Sequence, residues 1–353
     1  MKIKLAILEK DQNYLNRIVT VFSTKYIDKF QIYSFTSMEM AFESVASEKI
    51  DVLIANDLFE IDVDKLPARC SFAYFVDSPD VDTVNNQRAI CKFQKAELIY
   101  KEILSLYSEN AGSLAGLKLT DDECKIITFS SPCGGTGTSS LAAACAINLA
   151  SKGKRTLYLP LENFGSSDVF FSAEGQFDMS DVIFALKSKK ANLAMKLESY
   201  VKQDYRGVYF FAAAKFALDM LELKHDEKMQ LISNLKMTGS YDYIILDIDF
   251  ALDKEHFDYY TKSHNVIMVC DGSEISDLKV MRAFAALETM DQNSETPILN
   301  RFCLAYNKFS NKSGHAVSDN ALKNIGGAPV YAQATVQQII GQLATSDMFN
   351  NLD

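Results

Sequence analysis

The sequence predicts an α/β protein with two doubly wound domains, each built from three α/β/α layers. Short apolar strand patterns alternate with helix patterns along all 353 residues, an order typical of parallel sheets covered by helices on both faces. The length agrees with about two domains, and a cluster of breaker residues, Glu109-Asn110-Ala111-Gly112-Ser113, separates two such series. We therefore expect one domain over residues 1–110, a linker over 111–123 and a second domain over 124–353.

The first series predicts one small doubly wound domain. Its strands are compact apolar runs, and its helices place apolar residues at intervals of three and four. The expected strands are Ile3–Leu8, Phe30–Phe35, Asp51–Ala55, Phe72–Val76 and Ala89–Phe93. The expected helices are Leu15–Ile27, Met38–Ser47 and Glu97–Tyr107.

The second series is longer and again predicts a mostly parallel sheet with helices between its strands. The expected strands are Lys125–Phe129, Arg155–Leu161, Val208–Ala212, Tyr243–Ile248, Asn265–Cys270 and Arg301–Tyr306. The expected helices are Ser139–Lys152, Lys224–Met237, Asp277–Met290 and Thr335–Leu343.

Composition disfavours several classes of function. A net charge of -10 argues against a general nucleic-acid binder, which normally shows a basic stripe. No apolar run approaches the about 18 residues that span a bilayer, and the N-terminus is too interrupted for a signal peptide. The seven cysteines include no C-x-x-C pair, so a reducing cytoplasm is expected rather than a disulfide framework. The four histidines lack zinc-site spacing.

A glycine-rich turn, Ser130 to Ser140, follows an apolar strand and precedes an alanine-rich helix. This is the layout of a phosphate-binding loop, in which glycines let backbone N–H groups face an anion at a helix N-terminus. Compared with the pattern G-x-x-x-x-G-K-S/T, Thr138 stands at the lysine position and Pro132 at the first glycine position. Ser139 stands where a hydroxyl would bind magnesium.

A second acidic element supports this interpretation. The run Tyr241 to Asp249 reads as a buried strand that ends in Asp247. A carboxylate at the carboxyl end of such a strand lies at the ligand crevice of an open α/β sheet, so Asp247 is placed to hold a magnesium-bound water. The alternative is that Asp247 and Asp249 simply end a strand.

The loop resembles the deviant phosphate loop of the MinD/ParA family, K-G-G-x-G-K-S/T-S/T, from about Lys125 to the C-terminus. Cys133 takes the place of the family's signature lysine and Thr138 that of its loop lysine. Glu162 keeps one carboxylate of the family's D-x-D element, whereas Pro160 replaces the other. The pair Asn307-Lys308 resembles the family's N-R/K element, which implies that Asn307 reads the adenine edge.

The resemblance implies ATP with magnesium as the candidate ligand, since backbone N–H groups survive the loss of both lysines. The nucleotide-binding candidates are Gly134, Gly135, Thr136, Gly137, Thr138, Ser139, Ser140 and Asn307. The candidate metal ligands are Ser139, Glu162 and Asp247. Phosphoryl transfer depends on positioned charge, so we expect turnover close to the uncatalysed rate and assign no catalytic residue.

Residues 1–110 resemble a response-regulator receiver, a flavodoxin-like domain, but with eroded chemistry. Lys10 interrupts the acidic cluster Glu9-Lys10-Asp11, and Asn56 falls on the position of the phosphoacceptor aspartate. An amide cannot form an acyl phosphate, and Asp57 lies one residue too late. Asp77-Ser78 and Lys92 fall near the remaining two positions. We expect a domain that works without phosphorylation.

A receiver-like front joined to a MinD/ParA-like back resembles the TadZ/CpaE proteins of Flp (tight-adherence) pilus assembly, and Asn163-Phe164-Gly165 resembles their Q-F-G. The resemblance implies a cytoplasmic homodimer that marks the cell pole or the inner face of the membrane and recruits secretion proteins. The tail after Ala344 has no lysine or arginine, which argues against direct membrane insertion. The alternatives are an ATP-binding dimerisation switch of the ParA/MinD type and a regulator whose front domain senses another protein.

Overall fold

The computed structural model describes residues 2–110, 124–188, 192–292, 296–310, 314 and 322–352. The chain forms a mixed α/β structure with two sheets, as predicted. It divides into two compact units, the first comprising Met1–Lys118 with Phe184–Tyr200 and the second Leu119–Ile183 with Val201–Asp353. The predicted linker 111–123 lies outside the described residues, and the domain bounds given above stay a prediction.

The first unit is a parallel sheet of strands in the order β2-β1-β3-β4-β6-β5, with β5 antiparallel to β6. The strands are β1 Ile3–Leu8, β2 Phe30–Phe35, β3 Val52–Asn56, β4 Ser71–Val76, β5 Thr83–Val84 and β6 Gln87–Cys91. The helices before the second unit are α1 Gln12–Lys25, α2 Met38–Ser47 and α3 Ala96–Asn110. Every helix and strand expected in this unit is present, with bounds shifted by a few residues. Helix α1 starts at Asp11, whose side chain accepts from the backbone N–H groups of Asn13 and Tyr14.

One helix of the first unit comes from far along the chain. Helix α7, Leu193–Tyr200, packs against α3, and its Met195 is buried in the apolar cluster that also holds β1 and α1 side chains. Glu198 accepts hydrogen bonds from Lys29 Nζ and the Tyr100 hydroxyl, each at 2.9 Å. The sequence patterns did not predict this helix.

The second unit has a sheet in the order β14-β13-β12-β7-β11-β8-β10-β9, parallel except for β9 against β10. Its strands are β7 Lys125–Ser130, β8 Thr156–Pro160, β9 Lys202–Gln203, β10 Tyr209–Phe210, β11 Tyr243–Asp247, β12 Asn265–Cys270, β13 Phe302–Phe309 and β14 Lys323–Pro329. Its principal helices are α4 Thr138–Ser151, α5 Ser167–Phe170, α6 Met179–Lys187, α8 Ala217–Glu222, α9 His225–Met237, α10 Lys254–Lys262, α11 Glu274–Asp291 and α12 Val336–Ala344. Residues of α6 from Phe184 onward are counted in the first unit. No helix in the described ranges is both long and apolar enough to cross a bilayer.

Helix α4 forms the centre of this unit. Residues Leu141 to Leu149 are buried on every side of the helix, which is why an alanine-rich sequence suits it, since small side chains let a helix pack closely against a sheet. It contacts α12 and strands β7, β8 and β11. The glycine loop that precedes α4 is thereby fixed to the middle of the sheet.

The strand register places the predicted nucleotide and metal ligands from three strands at one edge of the sheet. Asp247, at the end of β11, pairs with Phe129 of β7 on one side and Pro160 of β8 on the other. The loops that follow these three parallel strands therefore leave the sheet together, at the edge where open α/β sheets bind ligands.

Candidate nucleotide site

The glycine loop adopts a tight, left-handed path into α4. Gly135 has φ 83° and Gly137 φ 82°, conformations that side-chain-bearing residues rarely adopt. Ser131 anchors the start of the loop, because its hydroxyl lies 2.6 Å from the Val269 carbonyl oxygen and 2.8 Å from that of Cys133. Helix α4 then begins at Thr138 with its N-terminus toward the loop, as an anion site requires.

A cavity of about 350 Å³ opens in front of this loop, within the range typical of small-molecule pockets. It brings together most of the predicted site residues with the segments that follow β8 and β11 and with the carboxyl end of β13. The lining residues are Ser131, Cys133, Gly134, Gly135, Gly137, Thr138, Ser139, Ser140, Glu162, Ile248, Asp249, Phe250 and Lys308. Of the predicted nucleotide ligands, Thr136 and Asn307 do not line the cavity and are buried instead.

Asp247 lies buried next to this cavity with part of its hydrogen-bonding capacity unused. Its Oδ2 accepts from the Tyr158 hydroxyl at 2.7 Å. Its Oδ1 has no well-formed hydrogen bond within the described chain, although the Ser139 hydroxyl is near enough to lower the pKa of the carboxyl. A buried carboxylate oxygen without a full partner is costly unless something satisfies it.

Glu162 and Asp247 hold their protons more tightly than ordinary carboxyl groups. Burial, followed by the charges of Asp247 and Asp249, raises the pKa of Glu162 to about 7. Burial also raises the pKa of Asp247 to about 6, against the lowering effect of hydrogen bonds from Tyr158 and Ser139. The buried Asp247 therefore lies near two carboxyl groups of the cavity wall, Glu162 and Asp249, and a bound cation would relieve the repulsion among the three.

Ser139, Glu162 and Asp247 fit a magnesium ion that is coordinated partly by the protein and partly by a bound nucleotide. Mg²⁺ prefers oxygen donors and commonly uses one or two carboxylates, waters and phosphate oxygens, and Ser139, Glu162 and Asp247 supply such donors. Within the described ranges no group of three His, Cys, Asp or Glu side chains is arranged as a self-sufficient metal site. The protein alone thus offers a partial coordination sphere that a nucleotide phosphate would complete.

Neither position of the missing lysines carries a cation. The Thr138 and Thr136 hydroxyls lie 3.1 Å apart, and the Cys133 thiol faces the Gly134 carbonyl at 3.8 Å. Asn307 donates its side-chain amide to the Thr136 carbonyl oxygen at 2.8 Å, so its amide nitrogen holds the loop. A contact of Asn307 with adenine stays a prediction.

One polar residue of the cavity, Lys308, was not among the predicted nucleotide ligands. Lys308 lines the cavity, and its Nζ donates to the Gly135 carbonyl oxygen at 2.8 Å. The only sequence signal was its position in the Asn307-Lys308 pair, because the contact spans more than 170 residues of chain.

The receiver-like unit has its own polar cluster at the expected position. The side-chain amide of Asn56 donates to buried Glu9 at 3.3 Å, and Lys92 Nζ lies 3.6 Å from Glu9 and 2.8 Å from Asp77. Burial lowers the pKa of Lys92, but Asp77 and Glu9 outweigh it and raise the pKa overall. The exposed Asp57 lies outside this cluster. The polar groups at the acceptor position are thus already paired with one another.

Residues 1–108 match the family model for the TadZ-like receiver domain. Among solved structures, the chain is similar to a ParA family ATPase from Chlorobium tepidum TLS, with 18% identity, a TM-score of 0.50 and coverage of 65% of this chain and 97% of that chain. It also aligns with a chain of the MinC:MinD cell division protein complex of Aquifex aeolicus, at 18% identity, a TM-score of 0.48 and coverage of 65% and 95%.

A third structure is the septum site-determining protein MinD complexed with Mg-ADP from Pyrococcus horikoshii OT3, at 17% identity, a TM-score of 0.48 and coverage of 63% and 94%. No curated protein matches the chain by sequence. At 18% identity, the likeness to the ParA family ATPase establishes the fold alone. The two resemblances drawn from the motifs, a receiver in front and a MinD/ParA-type fold behind, are confirmed at that level.

Proposed function

We propose that this chain, which joins a TadZ-like receiver domain to a fold of the MinD/ParA type, is a localisation and scaffolding factor for Flp (tight-adherence) pilus assembly. It acts in the cytoplasm as a homodimer and recruits secretion proteins to the cell pole or the inner face of the membrane. The observation that carries the proposal is the TadZ-like front domain on a chain whose phosphate loop has Cys133 and Thr138 at both lysine positions.

The two lost lysines favour a scaffold over a motor. Phosphoryl transfer depends on charges held in place around the transferred group, and the loss of one such group typically costs about 3 kcal/mol of transition-state stabilisation. Ground-state binding loses less, because the loop's backbone and the N-terminus of α4 still favour an anion. We infer that Mg-ATP binds as a structural ligand and is not turned over at a useful rate.

Exposed apolar side chains near the cavity support a role in protein contacts. Phe164 lies two residues after Glu162 and is 75% exposed, and Phe250 follows Asp249 in the cavity wall. Aromatic side chains of this kind commonly anchor protein interfaces. These two side chains are therefore candidates for the contact with a partner protein.

A fluorescent fusion of the full chain tests the localisation proposal. We expect discrete foci at a pole or at pilus assembly sites, and we expect the foci to persist when the genes for the pilus secretion machinery are deleted, because the proposed role is to recruit those proteins. Diffuse fluorescence of a stable, full-length fusion would overturn the proposal. A fusion of a variant with Thr138→Lys serves as a control, since the scaffold role does not depend on turnover.

A nucleotide-driven dimerisation switch is the second candidate. It is favoured by the retained acidic edge, where the buried Asp247 Oδ1 lacks a well-formed partner next to Ser139 and Glu162. Light scattering after size exclusion separates the two functions. The scaffold predicts the same dimer with and without Mg-ATP, whereas the switch predicts a dimer only when Mg-ATP is present.

A further inference from the structure

We propose that Lys308 is the positive charge of this nucleotide pocket and, from the carboxyl end of β13, makes the binding contact with phosphate that the absent loop lysine would otherwise make, without restoring turnover. The inference rests on the proposed binding of Mg-ATP and names the residue that makes it possible. Lys308 would hold the glycine loop through Gly135 and place its ammonium group beside the phosphates of the bound nucleotide.

The backbone at Lys308 is specialised for this position. Lys308 has φ 55°, a left-handed conformation that is uncommon for residues with a side chain. The pairing of β13 with β14 shifts register between Tyr306 and Phe309, and such irregularities re-aim side chains near functional sites. Strained backbone of this kind persists where the surrounding structure enforces it.

The carboxyl end of β13 is in close contact with the glycine loop. A Cβ atom added at Gly137 would lie 2.4 Å from Asn307 Nδ2 and 3.4 Å from Lys308 Cε. Asn307 and Lys308 together donate to the carbonyl oxygens of three successive loop residues, Gly135, Thr136 and Gly137. The loop's shape is therefore fixed before a ligand arrives.

The charge pattern of the cavity gives Lys308 a distinct role. Among the described residues that line the cavity, Glu162 and Asp249 are acidic and Lys308 is the single basic residue. Buried Asp247, with its incompletely satisfied Oδ1, adds a third carboxyl group behind them. A triphosphate needs cations to bind here, and charge-assisted hydrogen bonds to phosphate are among the strongest that a side chain makes.

Binding measurements on the full chain test the proposal. Affinities for ATP and adenosine are measured with Mg²⁺ present for the wild type, Lys308→Met, Lys308→Arg and the exposed-lysine control Lys279→Met. We expect Lys308→Met to weaken ATP binding about 10- to 100-fold, the range for a hydrogen bond to a charged group. Lys308→Arg and Lys279→Met should bind ATP within about twofold of the wild type, and adenosine should bind all four proteins alike.

A rescue experiment separates charge from structural damage. Adding Thr138→Lys to Lys308→Met places a cation back in the loop and should recover most of the lost ATP affinity, with thermal melting showing that each variant is folded. If Lys308→Met binds ATP as tightly as the wild type, the proposed role of Lys308 is wrong. The same holds if Lys308→Met loses adenosine binding by the same factor as ATP binding. Neither result would contradict the proposed function. Absence of ATP binding by the wild type at millimolar concentration would overturn the nucleotide part of the proposed function as well.

Discussion

The side-chain amide nitrogen of Asn307 lies 2.8 Å from the carbonyl oxygen of Thr136, so the end of β13 is fastened to the middle of the glycine loop. Asn307 is buried there, and a buried amide without a partner would destabilise the fold. The loop is therefore a structural joint between two strands as well as a candidate anion site. Its conformation should persist without any ligand.

Gly137 should tolerate no side chain. It has φ 82°, and an added Cβ would lie 2.4 Å from Asn307 Nδ2. We expect Gly137→Ala to lower the free energy of unfolding by about 1–3 kcal/mol through backbone strain and this clash, measured by urea unfolding. Gly134→Ala is the matched control, because an added Cβ there meets no atom within 4 Å. Equal stability of the two variants would contradict the tight joint.

Removing the Tyr158 hydroxyl should expose the cost of burying Asp247. The Tyr158→Phe variant loses the 2.7 Å hydrogen bond to Asp247 Oδ2, and leaving a buried charged acceptor short of a donor costs about 1–3 kcal/mol. The loss should shrink in acid, where Asp247 binds a proton. Thermal melting at two pH values measures it, with Tyr205→Phe as the exposed control, since Tyr205 is 83% exposed. A loss that does not depend on pH would argue against an ionised Asp247.

Glu162 and Asp247 should make stability fall as the pH rises. Their folded pKa values of about 7 and about 6 lie above the ordinary values of 4.5 and 3.8, so over this interval the folded chain binds protons that the unfolded chain has released. Their contribution to stability is therefore greatest in acid and is lost as the pH passes the folded pKa values.

Urea midpoints between about pH 5 and pH 8 test this dependence. We expect Glu162→Gln to have a flatter pH profile than the wild type, while the exposed control Glu60→Gln keeps the wild-type profile. Magnesium with ATP should also flatten the wild-type profile by favouring the ionised carboxylates. A Glu162→Gln profile as steep as the wild type would show that Glu162 keeps an ordinary pKa.

The hydrogen bonds of Glu198 should stabilise the packing of α7 within the first unit. It accepts hydrogen bonds from Lys29 and Tyr100 at 2.9 Å, and it is only 19% exposed. We expect Glu198→Ala to cost about 1–3 kcal/mol and to speed amide hydrogen exchange in residues 193–200, measured by mass spectrometry. The exposed Glu43→Ala is the control. Unchanged exchange in α7 would mean that apolar packing around Met195 is sufficient.

Restoring a carboxylate at Asn56 should destabilise the receiver unit. Asn56→Asp replaces the amide donor to Glu9, 3.3 Å away, with a second buried acid, and like charges at this distance repel. We expect a lower melting temperature at neutral pH that partly recovers with Mg²⁺. Asn13→Asp on the exposed start of α1 is the control. Stability equal to the wild type would indicate that the cluster can still accept a phosphorylation-competent acid.

The sequence predicted the features that depend on local patterns. The glycines at 134, 135 and 137, the carboxylate at the end of β11 and most of the longer strands and helices follow from residues close together in the chain, although β14, α6 and α10 were not predicted. The short elements escaped prediction because α5 and β9, with four and two residues, are too short to show a period. The hydrogen bonds from Asn307 and Lys308 to the glycine loop depend on a register shift in β13 and on the packing of strands that are far apart in sequence. No local sequence pattern indicates either feature. Helix α7 has eight residues, only some of them apolar, and nothing in them specifies α3 as the partner.

We propose that the pocket binds Mg-ATP without turning it over. The most direct measurement quantifies bound nucleotide and released phosphate in one sample of the purified full chain, with Thr138→Lys measured in parallel. We predict saturable ATP binding in the wild type, with phosphate release no faster than in buffer. If the wild type releases phosphate steadily, faster than in buffer and in proportion to protein concentration, then the pocket hydrolyses ATP and the proposal is wrong.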